Sequence, residues 1–197
     1  MSRSPTGVAR ERILDAASSA FYREGIRAVG VDSVIADAGV AKATLYRHFP
    51  SKDALVLAFL ERRDARWRAW FAETVERISP DPAGRPLAVF DALAEWFASD
   101  DFRGCAFLNA AAEIADPSHP ARAAVRLHEA RLAAHLGTIC AEAGLPAPAA
   151  AAADLFLLVE GAIVCALVEG NSEPAARAGA AAGRLLSRTA HPIVEDP

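Results

Sequence analysis

Cysteine is scarce in this sequence, and its three copies lie far apart. Cys105, Cys140 and Cys165 form no CxxC pair, and no cluster of histidines adjoins any of them. Small secreted domains need many disulfides, and structural zinc sites need closely spaced cysteine and histidine ligands. The pattern therefore predicts reduced thiols in an apolar core, with no disulfide framework and no metal site.

Motifs of the common enzyme classes are also missing. The chain has no phosphate-binding GxxxxGK or GxGxxG loop, no Ser-His-Asp order, and no pair of acid and base carboxylates on a suitable loop. We therefore expect no enzymatic activity and no bound cofactor.

Long apolar runs and an apolar leader are absent as well. Residues 1–12 are polar and do not resemble a signal peptide. The most apolar segment, residues 155–168, is shorter than the roughly 20 residues of a membrane-spanning helix and contains Glu160. These features predict a cytoplasmic protein with no membrane partner.

Alanine is abundant and strand-forming residues are few, which predicts an all-α fold. The chain has 197 residues, enough to bury a real core, and 53% of them are hydrophobic. Its net charge of -4 is unevenly distributed, because residues 1–52 carry eight Lys and Arg against five Asp and Glu, while residues 53–197 carry thirteen against twenty. The N-terminal end is therefore the basic end.

Residues 39–52 carry the clearest functional pattern. Leu45 and Phe49 lie four residues apart, so a helix would turn both of them inward. Lys42 and Tyr46 would then share an outward, polar face. This pattern predicts a short helix with one buried edge and one edge suited to DNA.

A second short amphipathic helix is predicted immediately upstream. Its apolar residues fall at helical spacing and are Val31, Val34, Ile35 and Ala38. Gly39 follows them, and glycine readily adopts the left-handed turn that joins two such helices. The two helices together form the pattern of a helix-turn-helix.

The region around this motif resembles the DNA-binding domain of the TetR family of bacterial transcriptional regulators. The similarity extends from Val31 to Leu55 and centres on AGVAKATLYRHFPSKDAL. Two positions depart from the family's usual pattern, since Gly30 and Ala41 occupy places where the family often has Ser or Thr. We expect the loss of these side-chain caps to cost roughly 1 kcal/mol of helix stability each, which packing can offset.

Five residues in this frame are predicted to contact DNA: Lys42, Thr44, Tyr46, His48 and Lys52. Lys42 and Thr44 lie near the start of the recognition helix, where such helices reach base edges. Tyr46, His48 and Lys52 are predicted to bind phosphates, as the resemblance also implies. The alternative is an ordinary solvated helix face.

About nine helices are expected in two domains. Residues 1–51 are predicted to form a three-helix DNA-binding domain after a polar arm at residues 1–7, and residues 52–197 an effector-binding and dimerisation domain. Spacing and turn residues predict helices at 8–24, 52–78, 86–97, 106–115, 121–143, 149–169 and 173–189, in addition to the two of the motif.

The larger half contains residues suited to a small-molecule pocket, because aromatic walls supply affinity and a few polar groups fix orientation. The predicted ligand-binding residues are Trp96, Cys105, Phe107, Asn109, Glu113, His128, Phe156 and Glu160, and Arg131 and His135 lie in the same set. His128, His135 and Glu113 could approach one another, but nothing in the sequence brings together the three or four ligands of a metal site.

Glu160 is the most informative residue of this set. Its neighbours in sequence include Leu157, Leu158, Ile163 and Val164, so its carboxylate needs a partner or must be protonated. The partner is either a ligand, an Arg or His of a neighbouring helix, or a group across a subunit interface.

The last two helices are predicted to form a homodimer interface. The last helix presents a nearly flat surface of Ala and Gly at residues 175, 176 and 178–183, to which Leu155, Leu158, Ala162 and Leu185 add apolar area. The resemblance implies a four-helix interface built from these helices. The alternative is that the alanines pack only within the monomer.

Together these features predict a repressor that a small-molecule effector releases from a palindromic double-stranded DNA operator. One recognition helix reads only a few base pairs, so specificity requires two copies. An activator, or a regulator without an effector, is the alternative within the DNA-binding class. An enzyme carrying a helix-turn-helix lacks support from catalytic motifs, and an architectural DNA protein would be basic throughout.

Overall fold

The structure is a computed structural model that describes residues 5–190, with side chains described for residues 7–187. Across these residues it contains nine α-helices and no strands, which confirms the predicted all-α fold. The helices are α1 (Pro5–Glu24), α2 (Val31–Ala38), α3 (Lys42–His48), α4 (Lys52–Ile78), α5 (Arg85–Phe97), α6 (Ala106–Glu113), α7 (Pro120–Glu142), α8 (Pro148–Glu169) and α9 (Glu173–Ala190). The polar arm expected at residues 1–7 falls partly outside the described residues, and Pro5–Gly7 belongs to α1.

The helices form two compact units. The first contains residues up to 66 together with 105–128, and the second contains residues 67–104 together with those from 129 onward. Long-range contacts therefore group α6 and the first turns of α7 with the N-terminal helices. The predicted boundary between residues 51 and 52 divides the chain into two continuous segments, whereas each of these units combines separate segments. That boundary stays a prediction.

In the first unit, α1 packs against both helices of the motif. Its buried stripe includes Ile13, Ala17 and Phe21, as the spacing of apolar residues predicts. α4 begins with a side-chain cap, since the Ser51 hydroxyl accepts a hydrogen bond from the Ala54 N–H at 3.1 Å. This cap fixes the start of α4 at residue 52, where the sequence predicts it.

In the second unit, α5, α8 and α9 pack together. Aromatic rings fill part of its interior, where Trp67 stacks on Phe71 with centroids 4.8 Å apart and meets Trp96 edge-on at 5.4 Å. Gly179 of α9 lies against Phe90 of α5 so closely that an added Cβ would be 3.1 Å from the Phe90 Cβ. Small residues of α9 therefore pack within the unit as well as on its surface.

α8 is longer than the apolar segment considered from sequence. Its 22 residues have a mean hydropathy of 2.2 over the most apolar window, so by length and composition it could cross a membrane. A helix of this kind is weak support for a membrane span, because the core helices of soluble proteins pass the same test. α8 also carries the carboxylates of Asp154, Glu160 and Glu169.

Candidate nucleic-acid interface

The predicted two-faced helix is present as α3. Leu45 and Phe49 are buried, whereas Lys42 is exposed and Tyr46 is 38% exposed. The inward residues anchor the helix to the rest of the first unit, and the outward residues remain open to a partner. Thr44 is half-buried.

The turn between α2 and α3 has the geometry expected of a helix-turn-helix. Gly39 is left-handed, with φ 59° and ψ 45°, and its N–H donates to the carbonyl of Ala36 at 3.1 Å. The next N–H, of Val40, donates to the carbonyl of Ile35 at 3.3 Å. These bonds fix the direction in which α3 leaves α2.

Neither helix of the motif has a side-chain cap at its start. Gly30 precedes α2 and Ala41 precedes α3, both with extended backbone and no capping bond. The absence of these two caps, expected from sequence, is therefore seen in the structure. An exposed ion pair joins the two helices instead, between Lys42 Nζ and Asp32 Oδ1 at 3.2 Å.

His48 and Lys52 are less open than Lys42 and Tyr46. The Nε2 atom of His48 is buried and has no hydrogen-bond partner within the described part of the chain, and its ring lies beside that of Phe49. Lys52 is half-buried, with its Nζ 6.0 Å from the centre of the Phe21 ring. Both side chains need some rearrangement to reach a phosphate.

Five of the predicted pocket residues belong to the first unit, and they make specific contacts there. Phe107 stacks on His128 with ring centroids 3.7 Å apart, and His128 Nδ1 lies 2.8 Å from Asp64 Oδ1. All three side chains are buried, as is Cys105. The Phe107, His128 and Asp64 cluster joins α6, α7 and α4.

Glu113 and Asn109 lie on α6 at the corner between α1 and α2. Glu113 accepts a hydrogen bond from a backbone N–H, that of Arg27, at 2.7 Å. Asn109 and Glu113 also border a small void of about 10 Å³, enough for a single water molecule, beside Phe21 and Ile26. This void is too small for an effector.

The remaining predicted pocket residues belong to the second unit. Among them, Glu160 has a buried carboxylate oxygen, Oε2, that lacks a hydrogen-bond partner among the residues that the structure describes. Burial, together with the smaller effect of the nearby Glu129 carboxylate, raises the pKa of Glu160 to about 7. Trp96 is buried in the aromatic cluster and Phe156 is half-buried.

Glu129 is a functional candidate that the sequence analysis missed. Both of its carboxylate oxygens are buried without a partner in the described residues, and burial raises its pKa. A signal was present, because Glu129 interrupts the apolar stripe of α7 that continues with Leu132 and Leu136. On the same helix, burial lowers the pKa of His135, whose Nε2 also has no partner in the described region. Arg131 is exposed.

Comparison with known proteins agrees with the geometry of the motif. The family model for bacterial regulatory proteins of the tetR family matches residues 13–59. The crystal structure of a TetR-family transcriptional regulator from Streptomyces coelicolor is 38% identical, with a TM-score of 0.82, over 92% of this chain and 97% of that one.

Two curated relatives are also regulators. The HTH-type transcriptional regulator LmrA of Bacillus subtilis is 25% identical over 92% of this chain and 98% of its own length. The HTH-type transcriptional activator FasR of Mycolicibacterium smegmatis is 45% identical over 30% of this chain and 27% of its own length. The chain therefore belongs to the TetR family of bacterial transcriptional regulators, and it is a DNA-binding helix-turn-helix protein.

Proposed function

We propose that the chain is a homodimeric repressor, released from a palindromic operator by a small-molecule effector. The observation that carries the DNA-binding part is α3, whose Leu45 is buried, as is Phe49 directly after the helix, while Lys42 and Tyr46 are exposed beside a left-handed turn at Gly39. Such a helix can enter the major groove of DNA without exposing its apolar edge.

Each predicted DNA contact has a distinct role in this proposal. Lys42 and Thr44 read base edges from the start of α3, and Tyr46 donates to a phosphate. Lys52 and His48 bind the backbone once their side chains turn outward. Lys42 is released readily from Asp32, because exposed ion pairs contribute at most about 1 kcal/mol.

A second copy of the chain covers the exposed apolar face of α8. This face includes Leu157, 69% exposed, and Val168, 80% exposed, with Val164 between them. Two residues named from sequence, Leu155 and Ala162, are buried within the protomer and cannot contribute to that face. Dimerisation removes exposed apolar side chains from water and supplies the second recognition helix that a palindrome requires.

The effector binds within the second unit, near Glu160. A carboxylate buried without a partner is costly, and a ligand that carries a cationic or hydrogen-bond-donating group meets that need. Its effect on DNA binding depends on its different affinity for the two conformations of the protein. It releases the operator only if it binds the DNA-bound form less tightly.

The main alternative is an activator, a role that the name of the FasR relative assigns to that protein. An enzyme is disfavoured, because the matched relatives are transcriptional regulators. An architectural DNA protein is disfavoured by the acidic composition of residues 53–197.

A reporter assay separates repressor from activator. The preferred DNA sequence, selected from random duplexes, is placed across a constitutive promoter in cells that do or do not express the protein. Lower reporter output with the protein supports repression, whereas higher output shows activation. Lys42→Ala is the control, since it must remove either effect if α3 reads the site.

A further inference from the structure

Glu113 lies at the end of α6 and contacts the turn that joins the first helix of the DNA-binding motif to α1. Its Oε2 atom accepts a hydrogen bond from the backbone N–H of Arg27 at 2.7 Å, across 86 positions of sequence. A hydrogen bond to an ionised carboxylate is stronger than one between neutral groups. This bond therefore ties α6 to the turn between α1 and α2.

The backbone of the turn is shaped to receive this carboxylate. Gly25 has φ 93°, and a Cβ added there would lie 3.2 Å from Oε1 and 3.3 Å from Oε2 of Glu113. A larger residue would push the carboxylate away and would also strain the backbone. Gly25 thus both ends α1 and leaves space for Glu113.

Few other bonds fix the start of α2. Gly30 precedes the helix without a side-chain cap, although the Ser33 hydroxyl donates to the Gly30 carbonyl at 2.7 Å within the first turn. In the α1–α2 turn itself, the Val29 N–H donates to the carbonyl of Gly25 at 3.4 Å. Ile26 and Val29 of the turn are buried, so apolar packing also holds the turn in place. Among these contacts, the bond from Glu113 is the short one that reaches the turn from a helix distant in sequence.

We propose that Glu113 is a positioning residue for DNA recognition: it holds the α1–α2 turn, and through that turn it sets the orientation of α2 and α3. The proposal rests on the proposed role of α3 in reading DNA. It gives α6 a function in DNA binding that requires no contact between α6 and the DNA. It also replaces the expectation from sequence that Glu113 binds the effector.

The test compares three variants of the full-length protein on duplexes selected by the wild type and on scrambled duplexes. Glu113→Ala removes the acceptor, Glu113→Gln retains an acceptor oxygen, and Glu61→Ala removes an exposed carboxylate elsewhere in the same unit. All three raise the net charge by the same amount, so the electrostatic gain in DNA binding is matched. Binding is measured well below the melting temperature of each variant.

We expect Glu113→Ala to bind the selected duplex about tenfold more weakly than Glu61→Ala, with unchanged affinity for scrambled DNA, because a hydrogen bond to a charged group is lost. Glu113→Gln should lie within about threefold of Glu61→Ala, because a neutral acceptor keeps part of the bond. In amide hydrogen exchange, the Arg27 N–H should lose protection in Glu113→Ala and keep most of it in Glu113→Gln.

Specific binding of Glu113→Ala equal to that of Glu61→Ala would overturn the proposal, even if its melting temperature fell, because Glu113 would then be only a stabilising contact. If the wild type selected no sequence from random DNA, the proposed function and the role of Glu113 would fail together. The two failures are distinguishable. The role of Glu113 fails alone when the wild type prefers a sequence and Glu113→Ala binds that sequence as well as Glu61→Ala does. The proposed function fails when the wild type prefers no sequence.

Discussion

Considered residue by residue, the outward edge of α3 carries exposed side chains that make few contacts with the rest of the protein. Within the part of the chain that the structure describes, Lys42 is paired with the exposed Asp32, and Tyr46 projects from the same face. Lys52 lies at the start of α4, where its charge is close to the motif. These positions lead to different expectations for base and phosphate contacts.

Tyr46→Ala and Lys52→Ala should weaken binding to all duplexes, whereas Lys42→Ala should mainly reduce discrimination among operator variants. Lys52→Ala should also lower the slope of log affinity against log salt by about 1, because one phosphate contact is lost. Fluorescence anisotropy at several salt concentrations measures both quantities. Arg184→Ala, which removes an exposed cation of α9, is the control and should keep the wild-type slope. Wild-type affinity and slope in both Lys42→Ala and Tyr46→Ala would contradict the placement of α3 in the groove.

Glu160 should make the stability of the protein depend on pH near neutrality. Its pKa is about 7 in the folded chain and about 4.5 when unfolded, so folding favours the protonated form. Its contribution to stability is therefore fully present below about pH 4.5 and is lost as the pH rises through 7. Glu160→Gln keeps the shape without the charge, so it should raise the melting temperature at pH 8 relative to wild type and have little effect at pH 5.

Thermal unfolding at both pH values measures this difference, with Glu95→Gln as an exposed control that should show no such pattern. A lower melting temperature of Glu160→Gln at pH 8 would show instead that the charged form has a partner. If Glu160 also anchors the effector, Glu160→Gln should reduce effector-induced release while leaving operator affinity intact. Normal release would contradict the pocket role of Glu160.

The sequence predicted single residues unevenly. The burial of Leu45 and Phe49 was predictable, because helical periodicity shows which positions turn inward. The burial of the Glu160 carboxylate, which has no hydrogen-bond partner within the described residues, was predictable from its apolar neighbours in sequence. The bond from Glu113 to Arg27 was not predictable, since it joins positions far apart in sequence. The burial of Glu129 was not predicted either, because the segments that cover its carboxylate are distant in sequence.

At the scale of the elements, helix ends were predictable wherever glycine or a cap marks them. Gly39 ends α2, as the sequence indicated, while Gly25 follows α1 and Ser51 caps α4, where the predicted end at residue 24 and start at residue 52 match the structure. Ends without such a marker were displaced by a few residues, as at α6, which ends at Glu113 rather than near residue 115. Local backbone chemistry explains the accurate ends, and packing decides the others.

Gly39→Ala should destabilise the first unit by about 1–2 kcal/mol, because an L residue is strained in the left-handed region. A Cβ there would also lie 2.7 Å from the Arg12 guanidinium, which would have to move. Gly137→Ala is the matched control, since it lies inside α7 with nothing within 4 Å of the added Cβ, and it should be neutral or stabilising. Chemical denaturation measures both. Equal stability of the two variants would contradict the strained turn.

The apolar face of α8 should hold the dimer together. Val168→Glu places a charge where a second copy would bury it, so it should produce a monomer or weaken dimerisation at least tenfold. Leu87→Glu is the control, because Leu87 is an exposed apolar residue of α5 and should leave the dimer intact. Light scattering at micromolar concentration measures the mass of each. A wild-type protein that is monomeric both with and without operator would contradict the proposed homodimer.

At the scale of the whole molecule, the fold class and the family were predictable, but the grouping of the helices was not. Helical periodicity and the residues around the motif indicate an all-α regulator of the TetR family. The structure adds that α6 and the first turns of α7 pack with the DNA-binding helices. That grouping depends on contacts between distant segments, such as the pair of Asp64 and His128, which no local pattern reveals.

In the proposed function, DNA recognition by this chain requires two copies of α3 that read a symmetric operator. The most direct measurement is selection of bound sequences from random duplex DNA by the full-length protein, followed by sequencing. We expect a palindromic consensus with half-sites about one helical turn apart, which Lys42→Ala should fail to enrich. A non-palindromic consensus, or no consensus at all, would contradict it.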